Sequence, residues 1–234
     1  MLIEHWHPVT KDMGIINAPV KEVVSELVAW HASLGMKYTQ KNIVTCFADA
    51  LDALSPLSME KRRRLFVATK SGWTACFQSG IAGSDPSPAM SVLSKRLGVL
   101  AMRICCTPTD AKWPGNIWEV YASPVSGGGQ PLSYRRTIAA VNDGGRWVFE
   151  EAGPRFPFEK FDRYKLPRKR DRFTRDLLIE YLEQFGISPL SDDFYDVSKL
   201  CPAVMLENLT RWPKPPPEFT LEEAKTGLPW KHGG

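Results

Sequence analysis

The sequence predicts an α+β protein, with a largely antiparallel sheet and helices from the N- and C-terminal parts packed on it. Three observations lead there. Amphipathic helical patterns lie near both ends, strand-like runs follow one another through the middle, and short glycine-containing turns join those runs.

From the start, Pro19 suits the first position of a helix whose apolar face is Val20, Val24, Leu27, His31 and Leu34, with Gly35 as its stop. Residues 37–44 read as extended, and 45–54 as a short helix ending before Pro56. Leu65–Thr69 and Trp73–Phe77 are strands separated by Lys70-Ser71-Gly72, a tight hairpin signal. Asp85 is placed to cap a helix from Pro86 that turns Met90, Leu93 and Leu97 inward and stops at Gly98. Strands follow at about 99–107, 116–123 and 134–141, then at Arg146–Glu150 after the turn Asn142-Asp143-Gly144-Gly145.

Beyond residue 155 the pattern turns helical. Thr174 is a good N-cap for a helix with Leu177, Leu178, Tyr181, Leu182 and Phe185 on one face, closed by Gly186. A further helix is expected across about 197–210, with Pro202 in its first turn. Trp212-Pro213-Lys214-Pro215-Pro216-Pro217 reads as an extended polyproline-like stretch, which either docks into another protein or lies across its own domain with Trp212 as anchor. Thr220-Leu221-Glu222-Glu223 has capping-box spacing for a last short helix. Residues 1–211 are therefore expected to form a single α+β domain, and 212–234 a proline-rich tail with a short helix.

Composition narrows the function classes. The chain has 234 residues, 43% hydrophobic and 24% charged, which is enough to bury a core and far from the disordered regime. The longest run without Asp, Glu, Lys or Arg is Val120–Tyr134, too short and too broken by glycine and proline to span a bilayer, so no membrane association is expected. The start, Met1-Leu2-Ile3-Glu4-His5-Trp6-His7, lacks the basic and apolar regions of a secretory signal, and a cytoplasmic protein is expected. Five cysteines, an odd count without Cys-x-x-Cys spacing, read as buried free thiols in a reducing compartment.

Signatures of catalysis are missing. There is no G-x-S-x-G elbow, and His31, on the apolar face of its helix, reads as a core histidine. His5-Trp6-His7 would place two imidazoles on one face of a strand, but no third ligand is nearby, and otherwise it is a terminal strand with Trp6 packed inward. Gly127-Gly128-Gly129 is read as a mobile hairpin loop, because no Gly-Lys-Ser/Thr follows. Glu150-Glu151 and Asp192-Asp193 are adjacent pairs whose members face opposite ways on an extended chain, so neither is a natural acid/base dyad. No cofactor, metal or catalytic residue is assigned, and the protein is not read as an enzyme.

One segment stands out. Between Lys160 and Arg175 lie Lys160, Arg163, Lys165, Arg168, Lys169, Arg170, Arg172 and Arg175 against Asp162 and Asp171, with Phe161, Tyr164 and Phe173 interleaved. Such a segment can hold phosphates and stack bases, or meet an acidic protein surface. It can equally be a solvated connection with internal ion pairs, or use Arg170 and Arg172 to fasten the last helix to buried acids.

Several pieces together resemble an uncharacterised bacterial family that includes immunity partners of secreted antibacterial toxins of the type VI and polymorphic kinds. They are Ser71-Gly72-Trp73-Thr74-Ala75, Gly83-Ser84-Asp85, Asn142-Asp143-Gly144-Gly145-Arg146-Trp147, Tyr164, Arg170-Asp171-Arg172-Phe173-Thr174, Tyr181-Leu182, Gly186-Ile187 and Phe194-Tyr195. The resemblance covers about residues 63–195. It carries no catalytic residue, since these positions are turns, caps and core aromatics. It implies a bacterial cytosolic protein that binds and blocks a toxin.

The leading expectation is a binding protein, an immunity-type inhibitor that occludes a cognate toxin stoichiometrically. Its candidate partner-binding residues are Arg163, Lys165, Arg168, Lys169 and Arg170, with Gly128 and the Asp192-Asp193 turn. The alternatives are a nucleic-acid-binding accessory protein that uses segment 160–175, and an enzyme whose site would show as a deep polar pocket around a perturbed Cys, His or carboxylate.

Overall fold

The computed structural model describes residues 2–107, 111, 113–122, 134–210 and 216–226. A short helix, α1 (Leu2–His5), and a 3-10 turn lead into β1 (Asp12–Ile16), after which come α2 (Val20–Ser33), β2 (Tyr38–Ile43) and α3 (Phe47–Asp52). Next are β3 (Leu57–Ser58) and the hairpin of β4 (Arg63–Thr69) and β5 (Thr74–Gln78), where Gly72 supplies the positive φ of 83° that the turn needs. Then α4 (Ser87–Leu97) is followed by a meander of β6 (Ala101–Cys106), β7 (Gly115–Tyr121), β8 (Tyr134–Asp143) and β9 (Arg146–Ala152). The 3-10 turns Phe161–Lys165 and Lys169–Asp171 precede α5 (Arg175–Glu183), and another, Asp192–Phe194, runs into β10 (Tyr195–Asp196). The described chain closes with β11 (Ala203–Asn208), β12 (Glu218–Phe219) and α6 (Leu221–Lys225).

Ten strands form one antiparallel sheet in the order β2-β11-β4-β5-β1-β6-β7-β8-β9, with β10 beside the far end of β4. Side chains alternate across it and divide the core in two. Ile16, Phe66, Cys76, Ala101, Tyr121, Val204 and Leu206 face α2 and α4. Met13, Ile15, Val67, Phe77, Met102, Trp118 and Ile138 face the other way, against Trp6, α3, α5 and the aromatic segment 156–173. The protein is therefore α+β, with a large antiparallel sheet covered on both faces.

Helix α2 buries Val23, Val24, Leu27 and His31, and each fully buried Val or Leu contributes about 1.5–3 kcal/mol. Leu34, expected on that face, is 57% exposed because the helix ends at Ser33 and Gly35 turns the chain away. Thr174 caps α5 by accepting a hydrogen bond from the Leu177 N–H, and the capping box of Thr220 and Glu223 opens α6, whose Leu221 and Ala224 join the core.

Three expectations are corrected, and one strand is added that the sequence did not indicate. The helix expected across 197–210 is strand β11, buried between β2 and β4. Its run Ala203-Val204-Met205-Leu206 is apolar on both faces, and so lacks the alternation that marks a half-exposed strand. Strand β1, in the middle of the sheet, was not expected at all, since Asp12 and Gly14 are poor strand formers. Gly14 is there for space: a Cβ would sit 2.7 Å from Met90 Sδ, where α4 crosses β1. Asp85 does not cap α4. Pro86 holds the N-cap position, and the Asp85 carboxylate lies 4.0 Å from Lys61 Nζ. His5 ends α1 and Trp6-His7 continue in a turn, so the imidazoles share no strand face, although Trp6 is buried.

Among the described residues no helix is long and apolar enough to cross a membrane.

Candidate functional site

The basic segment is built on a buried polar network. Arg136 points inward from β8, where Ile138 and Ala140 are its neighbours on the same face, and is 1% exposed. Its Nε donates to Glu159 Oε1 at 2.9 Å, and its Nη2 donates to Glu159 Oε2 at 2.6 Å and to Glu151 Oε2 at 2.5 Å. Its Nη1 donates to the carbonyls of Ala152 and Gly153, both at 3.1 Å. All five guanidinium donors are thereby used. Burial opposes the charge, but the hydrogen bonds that Arg136 donates to Glu159 and Glu151 outweigh it and raise the Arg136 pKa further.

Glu159 continues the network. Its Oε2 accepts the Tyr164 hydroxyl at 2.9 Å, its Oε1 accepts the Phe156 N–H at 2.8 Å, and the Tyr164 and Tyr181 hydroxyls lie 3.0 Å apart. The Tyr181 hydroxyl in turn accepts the Lys160 N–H at 2.7 Å. Burial, reinforced by Tyr181, pushes the Tyr164 pKa far up, so the hydroxyl stays protonated. The loop 153–160, the 3-10 turn Phe161–Lys165 and α5 are thus tied to β8 by groups that leave no donor of the arginine free.

Above this base the cations sort into two groups. Arg172 is structural: its Nε donates to the Leu166 carbonyl at 2.7 Å, and its guanidinium lies 5.5 Å from the centre of the Phe149 ring. Lys160 reaches Glu180 at 2.6 Å and Arg175 reaches Glu4 at 2.9 Å. In contrast Arg163, Lys165, Arg168 and Arg170 are exposed, and Lys169 is half-buried. Lys165 and Arg170 lean on the exposed acids Asp162 and Asp171, contacts of little energetic weight. Arg168 and Lys169 make no ion pair among the described residues. Arg170 and Arg172 do not fasten α5 to buried acids; that work is done by Arg136.

Of the interleaved aromatics, Tyr164 and Phe173 are buried, and Phe161 is 47% exposed between Arg155 and Lys165. Asp192 and Asp193 lie on a different flank, lining a cleft of about 520 Å³ with Ile179, Glu183 and Pro189. Both groups adjoin α5 but do not converge into one site. Gly128 lies outside the described residues.

Two more of the concavities among the described residues bear on chemistry. The larger, about 720 Å³, runs between the start of α2 and Pro202 over Gln40, Asn42, Thr74 and Trp73, and is mainly apolar. A smaller cleft, about 430 Å³, holds Lys11, Lys61, Asp12, Arg103 and Cys105 at the end of β1 and β6. There burial raises the Asp12 pKa against the opposing pull of Arg103, whose Nη2 donates to Asp12 Oδ2 at 2.7 Å and whose Nε spans both oxygens at 3.0 and 3.1 Å. Cys105 beside it is pushed up to about 12 by burial, so its thiol stays un-ionised at neutral pH. The Asp12 carboxylate is thus paired with Arg103, and the un-ionised thiol suits a structural role. No group of three His, Cys, Asp or Glu side chains placed to hold a metal occurs among the described residues.

Sequence reasoning found the exposed cations but missed Arg136 and Glu159. The available signal was a charge at the inward positions of an alternating strand, Arg136-x-Ile138-x-Ala140, which demands a buried acid.

The chain matches no known protein-family profile, no curated protein and no solved structure. What the fold and the site define is a class: an α+β sheet protein in which a buried, hydrogen-bonded Arg136–Glu159–Tyr164 network underlies a segment of exposed cations.

Proposed function

We propose that this protein acts by binding, as an immunity-type inhibitor that neutralises a cognate bacterial toxin through stoichiometric occlusion. The observation that carries this reading is the pairing of exposed Arg163, Lys165, Arg168 and Arg170 with the buried Arg136–Glu159–Tyr164 network beneath them. A segment whose backbone is held before encounter spares its own ordering on binding, and exposed arginines offer bidentate contacts to carboxylates. Nucleic-acid binding through the same segment ranks second, because its stacking capacity is reduced to Phe161 once Tyr164 and Phe173 are buried.

The test is affinity capture from the native host at low and at high salt, with the wild type and with an Arg168→Glu/Arg170→Glu variant. The reading expects one stoichiometric protein partner that survives high salt with the wild type and is lost with the folded variant. Nucleic acid that is released by salt promotes the second reading, since phosphate contacts return their counterions. Capture of the same protein partner by the variant removes these cations from the interface.

A further inference from the structure

The two edges of the main sheet differ in how they are guarded. β2, at one edge, is polar along its exposed length, with Lys41 at its centre, the usual protection against strand addition. β9, at the other edge, runs Arg146-Trp147-Val148-Phe149-Glu150-Glu151-Ala152 and has three adjacent large apolar residues.

The outward-pointing backbone of β9 can be assigned. β8 and β9 pair as Asn142↔Trp147, Ala140↔Phe149 and Ile138↔Glu151. Asn142 donates its N–H to the Pro114 carbonyl at 2.8 Å, toward β7, so it does not bond Trp147. Hydrogen-bonded and non-bonded pairs alternate along an antiparallel ladder. Trp147, Phe149 and Glu151 therefore direct their N–H and C=O groups away from β8, along the free edge. Among the described residues those groups have no partner.

The strand's flank is basic. The segment that carries the exposed cations packs on β9, with the Tyr164 ring 5.5 Å from that of Phe149 and Arg172 stacked over Phe149. Residues 146–175 hold ten Lys or Arg against five Asp or Glu, a net +5, whereas the whole chain is +4. The excess positive charge of the protein is thus concentrated in β9 and the segment beside it. Of the acids on β9, Glu151 is already held by Arg136 and Arg155.

We infer that β9 is a docking edge at which a partner protein adds an extended segment bearing acidic side chains. This rests on the binding reading above and specifies its partner's chemistry. Main-chain hydrogen bonds to Trp147, Phe149 and Glu151 supply the pairing, and Arg163, Arg168 and Arg170 select for carboxylates. A second copy of this chain is the less favourable occupant, because edge-to-edge pairing brings the two positive stretches together.

The experiment is residue-resolved amide exchange by NMR on the full-length protein, with a synthetic peptide of alternating Glu and Val as the probe and its Lys/Val counterpart as control. The Glu/Val peptide at saturation is expected to slow exchange at Trp147, Phe149 and Glu151 about tenfold, with no change at Val148 and Glu150, which already bond β8. The Lys/Val peptide is expected to leave all five unchanged, and Arg168→Glu/Arg170→Glu to weaken the Glu/Val effect. Unprotected amides with the Glu/Val peptide, or equal protection by both peptides, overturn the inference. Protection without any peptide, together with a dimer in sedimentation, overturns it in favour of self-association. Affinity capture that succeeds while these amides stay unprotected refutes strand addition and leaves the inhibitor reading standing.

Discussion

Arg136 and Glu159 meet inside the protein, 23 residues apart in sequence, through two parallel hydrogen bonds of 2.9 and 2.6 Å with both side chains almost wholly buried. Such a pair is costly to desolvate and more costly to break, because the survivor is left as an unpaired buried charge. It holds the segment that displays the exposed cations, so fold and surface depend on the same contact.

Removal of one partner is therefore expected to be severe. Glu159→Ala should destabilise the protein by about 3–5 kcal/mol, read from the denaturant midpoint. The double change Arg136→Met/Glu159→Leu should recover much of that loss, because neither charge then remains. Tyr164→Phe, which removes one hydroxyl from the carboxylate, should cost about 1–3 kcal/mol, since it leaves a charged acceptor short of a donor. If Glu159→Ala unfolds at the wild-type midpoint, the network is not what fastens α5 and its neighbours.

The loop before α4 gives a steric prediction. A Cβ on Gly80 would lie 2.3 Å from the Gly83 carbonyl oxygen, a backbone atom that cannot rotate away. Gly80→Ala should cost about 1–3 kcal/mol, through a shift of the loop that lines the Asp12 cleft. Gly35, at φ 78° with nothing near its added Cβ, is the comparison. Its replacement by Ala should cost less, about 1 kcal/mol, from backbone conformation alone. Equal losses at the two positions would mean that the Gly80–Gly83 contact gives way freely.

How far the sequence reached depended on whether a signal was local. The hairpin across Lys70-Ser71-Gly72 and the cap at Thr174 are settled by neighbouring residues, and both stand as expected. β11 failed because a strand buried on both faces has the same apolar run as a buried helix, and Val204 is the only β-branched residue in it. The cations of 163–170 were legible as charge. Their division into structural Arg172 and exposed Arg168 was not, since that depends on Phe149 from another strand. Leu34 and the Asp85 cap failed by a residue or two at helix ends, where boundaries are set by tertiary contacts.

His31 gives a pH signature. Burial, helped by nearby Arg64, lowers its pKa from 6.5 to about 4, and its Nδ1 is enclosed with no hydrogen-bond partner among the described residues. Above pH 6.5 the imidazole is neutral in both folded and unfolded chains, so it costs no proton-linked stability. As the pH falls from 6.5 toward 4 the unfolded chain takes up the proton first, and stability drops; below about 4 both states are protonated and the loss levels off. The total is on the order of 3 kcal/mol from this residue. His31→Phe keeps a ring against Tyr38, 5.3 Å away, and should flatten that part of the stability profile while it leaves neutral-pH stability nearly unchanged. A profile identical to wild type between those limits would show that the imidazole does not titrate as described.

Thiol chemistry separates the five cysteines by burial and charge. Cys46 is exposed and Cys201 half-buried, whereas Cys76, Cys105 and Cys106 are buried with pKa values pushed up by desolvation to about 12, 12 and 11. Reaction needs the thiolate, so the buried three are protected both by access and by protonation. With a chromogenic disulfide reagent at neutral pH, Cys46 should react first. Cys201 should follow more slowly, because a hydrogen bond from its thiol to Asp196 raises its pKa. The remaining three should appear only as the chain unfolds, at the rate of global opening, since they lie on β5 and β6 near the middle of the sheet. Peptide mapping of the labelled sites checks the order. Early labelling of Cys105 would instead mean that the cleft around Asp12 and Arg103 opens without the rest of the fold.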